Sequence, residues 1–300
     1  MVTAAGTRWI TSATLAVGTL AMAALTIGPA AARAQSDSAA RAGAMRRAAQ
    51  LDLLDSTAQA RVIFQALIDS APTPAARAAS QRAMAMSYAF SGDCGNTVRY
   101  EAMVIAYWTT REQAEPQNAF YQEGEMANEG ARVCIDAGDL GAAEQWYRRG
   151  YELGMKEPEP RTHPRSLWDF HLAHALGRIA ARRGDAAEAR RQIAAARRTL
   201  DGDTAMAAQQ ERFFPYLVGY VALYTNDLPA AERELTSAIS LRGNQRDPFL
   251  QCLLAMTYEK MGKQADARAA YQQAYEMAAA HNPPAAFTRP YARRKIGPAN

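Results

Sequence analysis

One pattern of residues recurs six times along this chain, and few folds accommodate it. A small residue is followed twelve positions later by a second small residue. Four further on comes a large apolar residue, and three beyond that usually a small one. The sets are Ala48, Ala60, Phe64, Leu67; Ala85, Thr97, a blurred match near Tyr100, Val104; Ala131, Ala143, Tyr147, Gly150; Gly177, Ala189, Ile193, Ala196; Gly219, Ala231, Leu235, Ala238; and Ala255, Ala267, Tyr271, Ala274. Between the first two positions of each set lies a turn: Asp55-Ser56, Gly92-Asp93, Gly138-Asp139, Gly184-Asp185, Asn226-Asp227 and Gly262-Lys263. Gly or Asn at such a point can take the left-handed conformation that ends a helix. Asp or Ser beside it can cap the first free N–H groups of the next helix. Each set therefore predicts two helices joined by a very short loop, with small residues letting the pair approach closely. One such hairpin cannot bury its apolar face, but several stacked hairpins can. A generic helical bundle would explain Ala-rich helical periodicity, but not a turn recurring at fixed offsets.

The run from Leu254 to Met277 closely resembles the tetratricopeptide repeat, as do Val218 to Ile239 and Leu176 to Ala196. Gly177, Tyr258, Gly262, Ala267, Tyr271 and Ala274 fall on that family's characteristic positions, and Pro72 matches its closing proline. The resemblance covers about residues 41–281 and is stronger in the last three repeats. It implies an all-α, right-handed solenoid of about six hairpins over residues 35–283. Spacings of 37, 46, 46, 42 and 36 between the second-helix small residues imply longer middle helices or connections than the family's standard unit has. Glu152 to Arg165, with Pro158, Pro160 and Pro164, reads as such a connection. Residues 284–300, with Phe287, Tyr291 and Ile296 among arginines, read as a capping helix and tail over the last open core.

The N-terminus carries a separate signal. Arg8 precedes an uncharged run from Trp9 to Ala32, followed by Ala32-Arg33-Ala34. A positive start, an apolar stretch and an A-x-A site is the layout of a cleaved secretory signal, here residues 1–34 with the cut after Ala34. The expected location is periplasmic or secreted, with no membrane insertion of the mature chain. The chain has 34 Lys and Arg against 30 Asp and Glu. Removing the segment takes away Arg8 and Arg33, leaving 32 against 30, too balanced to argue for a nucleic acid partner. An exported chain with Cys94, Cys134 and Cys252 has room for one disulfide and one thiol. In stacked hairpins Cys94, starting a second helix, lies near Cys134, late in the following first helix. Bonding between them and two separate buried thiols both remain open.

The resemblance implies that first helices line a concave groove that binds a protein or peptide partner. Carried over, this places Arg132, His171, His174, Arg178, Arg182, Tyr216, Tyr220 and Tyr224 in that groove. Tyr and Arg most often anchor interfaces. Tyr216, Tyr220 and Tyr224 form a cluster of candidate anchors, while packing of Tyr220 or Tyr224 between helices stays open as the alternative. Arg178 is expected in an open, charged stretch, where its removal would barely alter stability. His171 and His174 share one helix face, but a metal site would need a third ligand that the sequence does not point to. No catalytic motif is present, no cofactor is expected, and Glu123, Glu125, Glu157 and Glu159 read as solvated. The leading expectation is a non-enzymatic scaffold of the bacterial cell envelope. The alternatives are an accessory subunit of an outer-membrane or secretion assembly and a metal-dependent hydrolase using the histidine pair.

Overall fold

The structure is a computed structural model and describes residues 29–297; the greater part of the expected signal segment lies outside these residues. Residues 1–40 and 41–300 form two separate units. The first is described only where α1 (Pro29–Leu53) begins, and Gln35–Ala40 on it are exposed. Among the described residues every regular element is helical, and no helix is long and apolar enough to cross a membrane.

After α1 come α2 (Thr57–Asp69), α3 (Pro74–Phe90), α4 (Cys94–Thr109), α5 (Pro116–Ala137), α6 (Leu140–Gly154), α7 (Arg165–Arg182) and α8 (Ala186–Gly202). They are followed by α9 (Thr204–Gln210), a 3-10 turn at Glu211–Phe213, α10 (Phe214–Tyr224), α11 (Leu228–Ser240), α12 (Pro248–Lys260), α13 (Gln264–Met277) and α14 (Pro283–Ile296). Most helices pack on their chain neighbours.

The joints follow from the turn chemistry. Asp55, Gly92, Gly138, Gly184, Asn226 and Gly262 all have φ between 65° and 89°, the left-handed region that terminates a helix. Asp93, Asp139, Asp185 and Asp227 then accept the backbone N–H three residues on, at Asn96, Ala142, Glu188 and Ala230. Ser56 and Lys263 make no such side-chain bond. Ala60, Thr97, Ala143, Ala189, Ala231 and Ala267 are all buried, where a larger side chain would hold the paired helices apart. The irregular spacing has three visible sources, one of them the connection between α6 and α7 over residues 155–164. The helix α5 runs for 22 residues, and α9 with the 3-10 turn is inserted before α10.

The α6–α7 connection is tightly fastened. The Arg161 guanidinium donates to the carbonyls of Gly154, Met155, Glu157 and His163. Glu157 accepts the backbone N–H groups of Thr162 and His163. Glu157 and Glu123 are therefore not solvated as their sequence positions suggest; both are buried, Glu157 within this connection and Glu123 on α5 beside the Thr109 hydroxyl.

Two features hold the helices in fixed relation. The Trp168 ring, fully buried, lies between Gly124 on α5 and Gly154 on α6, and a Cβ on either glycine would overlap it. Cys94 at the start of α4 and Cys134 on α5 are joined as a disulfide, Cα to Cα 4.8 Å, and Cys252 is a buried free thiol.

The last helix does more than cover the end of α12–α13. One face of α14, with Phe287, Tyr291, Ala292 and Ile296, packs on Cys252, Ala255 and Tyr271. Ala285 and Ala286 pack on Met86, Ala89, Phe90 and Val133 of α3 and α5. Arg289 donates to the Leu53 carbonyl at the end of α1, and Arg293 pairs with Asp55. His281 bonds the buried Asp52 at 2.8 Å and lies against the rings of Phe64 and Phe90. The tail thus ties the first helices of residues 41–297 to the last.

Burial leaves its mark on acid–base behaviour. Burial pushes Glu101 well above the usual carboxyl range, with Glu129 adding to the effect. Burial raises Glu123 to about 7, with Glu112 also contributing against the Thr109 hydrogen bond. Burial raises Asp136 to about 6 against the pull of Arg132, Arg178 and Arg182. A carboxyl whose folded pKa exceeds its unfolded value of about 4 keeps its proton in the native state after the unfolded chain has lost it. Stability should therefore fall as pH rises through that window and level off above Glu101 and Glu123. His174, held neutral by burial, works in the opposite direction only below about pH 6.5. Melting at pH 6.5 should occur roughly 3 °C above melting at pH 8, for about 1 kcal/mol in a domain of this size. Glu123→Gln should shrink that difference, and a higher melting temperature at pH 8 would contradict the assignment.

Candidate functional site

Two clefts flank α14. The first, about 480 Å³, is walled by α5, α6, α7, the 3-10 turn, α10 and the Asn282–Pro284 corner that leads into α14. The second, about 570 Å³, lies between α14 and the ends of α3, α5, α7, α10 and α12.

Arg132, His171, His174, Arg178 and Tyr216 all line the first cleft. Arg182 and Tyr224 line the second. Tyr220 lines neither; it is 1% exposed, with its ring edge-on to Tyr216 and tilted against Tyr224. The structure corrects the reading of Tyr216 as an exposed anchor, takes the packed alternative for Tyr220, and corrects the reading of Arg178 as exposed. All three are buried, at 7%, 1% and 5% exposure, because α10 packs directly on α7 and the tyrosine rings fill that contact. The expectation that removing Arg178 would barely alter stability loses its basis, since it assumed an exposed side chain.

Arg178 organises the first cleft. Its Nη1 donates to the Tyr216 hydroxyl at 3.0 Å, its Nη2 to the Tyr147 hydroxyl at 2.8 Å, and its Nε to the His174 carbonyl at 3.4 Å. Burial opposes the guanidinium charge. The phenols of Tyr147, Tyr216 and Tyr220 outweigh that penalty and hold its pKa above the ordinary value. Burial raises the Tyr216 phenol, so its proton stays in place at any ordinary pH. Burial, reinforced by Arg178, His171 and Arg132, pushes His174 well below its usual value, so the imidazole is neutral. The Phe213 carbonyl opposes that shift without overcoming it.

The polar groups here are not fully used. His174 Nε2 and Arg132 Nε are buried without a hydrogen-bond partner among the described residues. Arg132 instead lies over the Phe249 ring at 4.7 Å. Neither Arg132 nor Arg178 has a carboxylate within 4.0 Å among those residues; Arg82 pairs with Glu129, and His171 with Glu125 at 3.4 Å. No three His, Cys, Asp or Glu among the described residues stand close enough to hold a metal ion.

Sequence reading missed Tyr147, Phe170 and the Asn282–Pro284 corner. Tyr147 stood as the large apolar residue of its set, where other sets carry Phe64, Ile193 or Leu235. The phenol was the available clue, because a buried tyrosine hydroxyl requires a partner. The contribution of residues 282–284 was not visible locally, since it depends on α14 returning to the first helices.

No protein-family model matches the chain, and no curated protein matches it in sequence.

Proposed function

We infer that the helix pairs stack as a solenoid of tetratricopeptide-like hairpins. In this reading the chain is a non-enzymatic scaffold that holds a segment of a partner protein in the cleft around Arg178. The observation that carries this is the cleft itself. Its volume of about 480 Å³ suits one short segment, and its lining includes His174 and Arg132, each with a buried nitrogen that has no partner among the described residues. Six helix pairs with left-handed turns support the solenoid. The position of α14 limits the accessible inner face, because it fills the space against α3, α5 and α12. The Cys94–Cys134 bond suits an oxidising compartment and so supports the periplasmic or secreted location that residues 1–34 suggest.

A photo-crosslinking residue at Gln210, on the cleft wall, should trap the partner in an extract of the native envelope. The same residue at Val62, 71% exposed on α2 away from the cleft, should not. Equal yield from both positions, or trapping from Val62 alone, would remove the cleft from the account.

A further inference from the structure

We propose that Tyr147, Arg178 and Tyr216 form a carboxylate-binding site, taking an acidic group carried on a flat apolar body. The proposal deepens the partner-binding reading, on which it rests, by naming the chemistry recognised.

The argument starts from hydrogen-bond direction. Arg178 has only N–H donors, so both phenol oxygens accept from it. Each phenol proton must then point elsewhere, and neither has an acceptor among the described residues. Two hydroxyl donors, polarised by one guanidinium, are left free on residues that line the same cleft. Three of the five Arg178 N–H groups are occupied, by Tyr147, Tyr216 and the His174 carbonyl, leaving two more donors. The Arg132 Nε adds a further unpartnered donor on the wall. Asp136 lies near enough for the charges of Arg132 and Arg178 to act on it, but no carboxylate stands within 4.0 Å of either among the described residues, so the donors around this buried cation are incomplete until an anion arrives.

Charge selects the class of anion. With the histidines counted as neutral, the cleft holds Arg82, Arg132 and Arg178 against Glu125 and Glu129, three positive and two negative, a net of one. That balance suits a single negative charge. A phosphate dianion would face repulsion from the two glutamates. Phe170 and Phe213 supply flat apolar wall beside the donors, which suits an aromatic or other planar body. The same chemistry can come from a free aromatic acid or from an acidic residue next to an aromatic one in a partner segment.

Calorimetric titration of the full chain with phenylacetate, and with its neutral isostere phenylacetamide, tests the site. Phenylacetate should bind at least about tenfold tighter, the scale of a charge-assisted contact. The blocked dipeptide acetyl-Phe-Glu-amide is the second arm. Tighter binding of the dipeptide than of phenylacetate assigns the group to a partner segment, and the reverse assigns it to a free acid. Tyr147→Phe with Tyr216→Phe removes only the two hydroxyls and should weaken the tighter probe at least about tenfold while leaving the circular dichroism spectrum unchanged. Arg178→Met, where it folds, should abolish binding. Equal affinity for phenylacetate and phenylacetamide, no binding of either acid, or full affinity in the double Phe variant would overturn the proposal. Crosslinking from Gln210 is unaffected by such a failure, so the scaffold reading and the carboxylate site fail separately.

Discussion

Replacing Gly154 with alanine is expected to cost about 3 kcal/mol, at the upper end of what overpacking a core imposes. The Cβ would enter the space of the Trp168 ring, which is fully buried. The ring cannot retreat, because Gly124 stands on its other side, where a Cβ would come within 2.7 Å of the same ring. The helices cannot separate without cost either, because a Cβ on Gly150 would lie 2.8 Å from the Gly124 carbonyl, so α5 and α6 are already in close contact. A loss of this size corresponds to roughly 8 °C in melting temperature for a chain of this length. Trp168→Phe in the Gly154→Ala background should recover part of it, a coupling that independent sites would not show. Gly202→Ala is the control. No atom lies within 4 Å of its added Cβ, and the change should stay within about 0.5 kcal/mol. A melt of Gly154→Ala indistinguishable from that of Gly202→Ala would refute the packing described around Trp168.

Arg289→Ala should destabilise by a comparable amount, about 3 kcal/mol. Its guanidinium donates to the carbonyls of Leu53, Tyr275 and Ala278 and to the Tyr275 hydroxyl, and lies 4.3 Å over the Tyr275 ring. The Leu53 carbonyl belongs to the last turn of α1, where helix carbonyls lack an intrahelical partner. Removing a charged donor that serves several acceptors leaves them unpaired and costs more than a single neutral hydrogen bond. Lysine at this position should restore less than half, since one ammonium cannot reproduce the planar fork. Urea unfolding gives the comparison. A loss under about 0.5 kcal/mol would mean that Arg289 does not fasten α14 to α1.

The contrast between what could and could not be read in the sequence has a physical basis. The turns were legible because left-handed backbone at Gly92, Gly138, Gly184 and Gly262, followed by Asp at three of the four, is a local requirement. The joined cysteines were approachable for a similar reason, since neighbouring hairpins fix which helix ends meet. The state of Arg178 was not legible. Its position on a first helix gave its face, but its burial depends on Tyr147, 31 residues before it, and Tyr216, 38 residues after it. The same holds for α14. Phe287, Tyr291 and the arginines around them signalled an amphipathic cap, yet contacts with Leu53 and Asp52 span more than 220 residues of sequence, where periodicity carries no information. Five of the eight residues assigned to a groove line one cleft, but Tyr147, the group that gives Arg178 its second phenol, came from a helix that the family resemblance assigns to the outside.

In the proposed reading the chain's own last helix is built into the fold and would leave a partner only the clefts beside it, the Arg178 cleft among them. Native-state hydrogen exchange of the full chain, read at the amides of α14 and α3, measures this directly. If α14 is integral, its central amides from Arg289 to Arg293 should exchange as slowly as those of α3 and α7 and accelerate together with α3 in Arg289→Ala. Rapid exchange of α14 while α3 and α7 remain protected would show a detachable tail and an open inner face, and would contradict the account.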